Sequence, residues 1–139
     1  MKSHVFFVLG IVFSLIGISY IAHANQVKIS PVCGVWPNGQ ATVPGFTPFF
    51  FSVDINCADT SRSTATFYSP TLKESMTRSL VQEALTNSSV MITTGHEKAT
   101  VVLWLSLSSG SDGKLVLSGD GSIRTSTGGK NSISVRMTH

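Results

Sequence analysis

Residues able to do chemistry are few in this chain, and their spacing assigns most of them to turns or solvated faces. Ser111 and Lys114 have the S-x-x-K spacing of an acyl-enzyme nucleophile and its base. The Asp112-Gly113 pair between them reads as a hairpin tip, not as the helix start that such a pair needs. Gly119-Asp120-Gly121-Ser122 lacks the third glycine of a dinucleotide loop and a strand-to-helix context, so it reads as a turn. Asp54, Asp59, Asp112 and Asp120 show no D-x-D spacing for calcium. Glu74 and Glu83 would sit on opposite sides of a helix rather than face each other across a substrate. His96 lies beside Glu97 between two strand-like runs and reads as a solvated histidine in a turn. These residues give no catalytic set, no metal ligand set and no cofactor.

Aromatic residues carry the stronger signal. Trp36, Phe46, Phe49 and Phe50 cluster among prolines, next to Asn, Gln and Thr side chains. A flat apolar face beside polar groups is what a sugar ring requires, and Trp36 is the candidate ligand-binding residue. The competing assignment puts Phe49 and Phe51 in a core and Trp36 over a sheet edge.

The elements that must position these residues follow from periodicity. Val27 to Ile29 reads as a short first strand, and Cys33 to Pro48, broken by Gly34, Pro37-Asn38-Gly39 and Pro44-Gly45, reads as loop. Phe49, Phe51, Val53 and Ile55 alternate with polar residues over one strand, and Thr64 to Tyr68 is a second. Ser69-Pro70 reads as an N-cap followed by proline at the first helical position. Leu72, Met76, Leu80 and Ala84 recur every four residues, which predicts an amphipathic helix ending near Asn87. Lys73 and Arg78 would lie on its polar, partner-facing side. Strands are expected over Ser89 to Thr94, Thr100 to Ser108, Lys114 to Ser118, Ser122 to Thr125 and Ser132 to Met137, with turns at Asp112-Gly113, Gly119-Asp120-Gly121 and Gly128-Gly129. The expected class is α+β: a small, mostly antiparallel sheet or an OB-like, partly open barrel with one helix.

The first 24 residues read as a secretory signal. Met1, Lys2 and His4 precede an apolar run from Val5 to Ile21, and Ala22-His23-Ala24 is a small-x-small cleavage site. Retention as an N-terminal anchor is the alternative. Cleavage leaves residues 25–139 as one secreted or periplasmic domain without a membrane span. Of the charged residues only Lys2 is lost, so nine basic and seven acidic side chains remain, too even a balance to point to nucleic acid or an anionic membrane surface. The two cysteines, Cys33 and Cys57, read as one disulfide of an oxidising compartment. It would close a loop of about 25 residues, worth roughly 3–4 kcal/mol in the chain-entropy model.

From Cys33 to about Trp104 the order of features resembles the B subunits of AB5 toxins, in the pertussis-like and subtilase-like branch. The matching pieces are Cys33, Cys57-Ala58, Pro70-x-x-Lys73-Glu74 and Ser89-Val90-x-Ile92. The resemblance implies a non-catalytic homo-oligomer, a pentamer, that binds cell-surface glycans, its helix lining a central pore that grips the tail of an enzymatic partner subunit and its strand edges pairing between neighbours. Lys114 to Met137 adds strands beyond that pattern. The alternative is a periplasmic accessory protein of a pilus, secretion or outer-membrane assembly system, binding a partner through a sheet edge or helix face.

Overall fold

A computed structural model describes residues 29–139; the expected signal segment, 1–24, lies outside the described residues. The described residues form strands and the turns that join them. In order these are β1 (Gly34–Trp36), β2 (Asn38–Thr42), β3 (Phe49–Ile55), β4 (Thr64–Ser69), β5 (Glu74–Glu83), β6 (Ser89–His96), β7 (Ala99–Ser109), β8 (Leu115–Thr125) and β9 (Lys130–Thr138), with one 3-10 turn at Thr60–Arg62. Each strand from β2 to β9 pairs antiparallel with the next in sequence. The β2–β9 ladder, from Asn38↔Thr138 to Thr42↔Ser134, then closes an eight-stranded up-and-down barrel. β1 is a ninth strand, pairing with the lower part of β3 (Gly34↔Ile55 to Trp36↔Val53) just before the chain passes Pro37 into β2.

Period-2 alternation accounts for the packing. Phe51, Val53 and Ile55 of β3, Val101, Leu103 and Leu105 of β7, and Ile133, Val135 and Met137 of β9 all point inward and are buried. Their outward neighbours are mainly Ser, Thr and charged residues, the reverse of the apolar outer band of a bilayer-spanning barrel. Eight strands leave an interior just wide enough for side chains to fill or for one small ligand.

The structure corrects several expectations. No amphipathic helix exists among the described residues; Glu74 to Glu83 is strand β5. Four-residue spacing could not separate the two, because residues four apart share a face in a strand as well as in a helix. The start signal itself is real. The Ser69 hydroxyl accepts from the Leu72 amide (3.1 Å), and the Lys73 amide donates to the Ser69 carbonyl (2.7 Å). That single turn stops at Lys73, which takes φ 56°, and the chain returns along β4 as a hairpin.

Cys33 to Pro48 contains β1 and β2 rather than loop alone; the expected strand from Val27 lies outside the described residues except for Ile29, which is in no strand. Gly119-Asp120-Gly121 is not a turn but the middle of β8. A Cβ on Gly119 or Gly121 would overlap the backbone carbonyl of Trp104 or Val102, so glycine there is what lets β7 and β8 curl this tightly. The turns at Asp112-Gly113 and Gly128-Gly129 are as expected, with Gly113 and Gly128 at φ 78° and 93°. The class is therefore antiparallel and barrel-forming, but closed and without the helix.

Candidate functional site

The two ends of the barrel differ. At the end where β1 begins, residues before it fold in as a plug. Val32 is fully buried, and its carbonyl accepts from Trp36 Nε1 (2.9 Å). The Cys33–Cys57 disulfide ties this segment to the end of β3, with Cα atoms 5.9 Å apart. His139 stacks on Trp36 at 3.9 Å between ring centroids, and its Nδ1 lies 2.9 Å from the Val35 carbonyl. Trp36 is 0% exposed. The expectation of a ligand platform at Trp36 is thereby corrected: its hydrogen-bonding and stacking capacity is spent inside the plug.

The opposite end is open. There the β2–β3, β4–β5, β6–β7 and β8–β9 connections surround a cavity of about 660 Å³. Val43, Phe49, Pro70 and Ile123 give it an apolar lining, and Phe46 stands at its edge 66% exposed. Thr47, Thr71, Thr125, Ser126, Thr127 and Asn131 supply hydroxyl and amide groups around the rim. The rim is braced by backbone and side-chain bonds. The Ser126 amide donates to the Lys98 carbonyl (3.2 Å), joining the β8–β9 and β6–β7 connections, and the Ser69 hydroxyl donates to the Glu97 carboxylate, joining the end of β4 to the same β6–β7 connection.

His96 occupies the wall of this cavity. Its ring lies 4.3 Å from that of Phe67 and 5.3 Å from that of Phe49, centroid to centroid. Its Nε2 is buried and has no hydrogen-bond partner. Burial pushes the imidazole pKa down from 6.5, with the neighbouring Glu97 carboxylate opposing the shift. The ring is therefore neutral at physiological pH. Its assignment to a solvated turn is incorrect. The missed signal was parity: Val90, Ile92 and Thr94 point inward on β6, and His96 continues that register beyond Gly95.

Phe49 contributes to the cavity, Phe46 to its edge, and Phe50 points outward. Lys73 and Arg78, expected on a helix face, lie instead in the β4–β5 turn and on β5, both exposed. Among the described residues no three His, Cys, Asp or Glu side chains converge as a metal site. The chain matches no family model, no curated protein and no solved structure.

Proposed function

We propose that this chain is an exported, non-catalytic binding protein that holds a small, largely apolar ligand in the open mouth of its barrel. The cavity carries this reading. Its size falls in the range of drug-sized ligand sites, and an apolar floor under a polar rim is how such sites bind and orient their contents. An occupant with a hydroxyl or N–H at the His96 wall would give Nε2 the partner it lacks, and that satisfaction favours a neutral, hydrogen-bond-donating ring compound over a bare hydrocarbon. A saccharide ring stacked on Phe46 is the glycan version of the same site.

The toxin-subunit form of the proposal loses its pore-lining helix, since β5 occupies that stretch of chain. The ligand-binding form does not need it. Titration with the amphiphilic fluorophore 1-anilinonaphthalene-8-sulfonate, whose aromatic rings would enter the apolar mouth, should show one saturable site per chain. Ala99→Trp, which fills the mouth from the inward side of β7, should abolish it. Thermal-shift panels of phenolic compounds and of oligosaccharides would then separate the two ligand classes. Absence of saturable dye binding, or binding that Ala99→Trp leaves untouched, would remove the basis of this reading.

A further inference from the structure

The barrel is not equally sealed around its circumference. Along β5, only Leu80 to Glu83 pair with β6, whereas Glu74 to Ser79 pair with β4 alone. Backbone bonds show which groups are left over. The Leu80 amide donates to the Ser63 carbonyl on the β4 side (3.0 Å). The Ser79 carbonyl faces the other way and accepts the Thr94 hydroxyl (2.9 Å), just where β5 parts from β6. Alternation in an antiparallel ladder then turns the N–H and C=O groups of Ser75 and Thr77 toward the unpaired side. Ser75, Thr77 and Ser79 are exposed.

Such an edge invites another strand, and charged side chains ordinarily protect it. Here the charges have opposite signs and are placed symmetrically. Glu74 and Arg78 flank Met76 at equal distance on one face of the strand. We propose that Glu74–Ser79 is a self-complementary edge that pairs antiparallel with the same segment of a second copy, forming a two-fold dimer centred on Met76. In that register Ser75 and the partner's Thr77 exchange both backbone hydrogen bonds, as do Thr77 and the partner's Ser75. Glu74 then stands opposite the partner's Arg78, and Arg78 opposite the partner's Glu74, both in non-hydrogen-bonded pairs, where side chains approach most closely. A shift of two residues keeps the backbone bonds but loses both charge pairs. The interface is isologous and closed, so it yields a dimer and not a fibre.

Sedimentation equilibrium of residues 25–139 should show a reversible dimer. Glu74→Arg and Arg78→Glu should each weaken it at least about tenfold, or ~1.4 kcal/mol, and the double swap Glu74→Arg/Arg78→Glu should restore it. Thr77→Pro, which removes an edge-facing N–H and spares the backbone bonds to β4 while losing the Thr77 hydroxyl's contact with that of Thr66 (2.9 Å), should leave a folded monomer by circular dichroism. A protein that is monomeric at every concentration, or a dimer indifferent to Glu74→Arg, would overturn the proposal.

Discussion

His96 shows how a single residue can tie the cavity to pH. Its folded-state pKa lies below the unfolded value of 6.5, so the unfolded chain binds the proton more readily than the folded one. The stability this neutral ring allows is fully present above pH 6.5 and is lost as pH falls through the depressed folded-state pKa. Urea unfolding should thus show decreasing stability on acidification from that point. In His96→Phe, which keeps a ring against Phe49 and Phe67, this part of the slope should vanish. An unchanged slope in the variant would place the titration elsewhere. The glycines of β8 make a second residue-scale case. Gly121→Ala sets a methyl against the Val102 carbonyl, and a loss of several kcal/mol, about 3 or more, is expected in denaturant titration.

Among the elements, the disulfide and the β4–β5 turn fix the two ends of the barrel. Cys33 and Cys57 are 24 apart in sequence and bracket β1, β2 and β3. Replacing both by alanine should cost about 3 kcal/mol and lower Tm on the order of 10 °C, while thiol titration of the native protein should find none free. Ser69 is buried and serves two partners, the Leu72 amide and Glu97. Ser69→Ala should therefore destabilise by ~1–2 kcal/mol and loosen the mouth, read as faster amide exchange at Leu72 and Lys73. The N-cap chemistry was plain in the sequence, yet a helix did not follow. A helical run of this length is marginal by itself, whereas β5 gains two ladders and buries Leu80.

At the scale of the whole molecule, closure depends on one long-range ladder. β2 meets β9 across nearly the full described chain, with Asn38 opposite Thr138. Removing residues 130–139 would open the barrel and expose the edges of β2 and β8, so that variant should be recovered as aggregate rather than as a smaller folded domain. Pairing so distant in sequence also implies slow folding for the size, in the millisecond-to-second range by stopped flow. Closure limits how the protein can offer a sheet edge to a partner. Among the described residues, the part of β5 that leaves β6 is one stretch where the ladder runs along one side only; Lys130 to Ile133 of β9, which pair with β8 and not with β2, are another.

Much of this was legible in the residues themselves. The inward faces of β3, β7 and β9, the glycine turns at 113 and 128 and the pairing of Cys33 with Cys57 follow from alternation, turn chemistry and cysteine count, all of which are local or combinatorial properties. Tertiary structure alone decided the remainder. Whether Leu72 to Ala84 coils or extends, whether Trp36 faces a ligand or a plug, and whether His96 is wetted or walled in depend on which distant strand lies alongside. Local sequence fixes only the period of a segment and the face it offers. The neighbour is selected when the barrel closes, because only then does each backbone group and each apolar face find what will cover it.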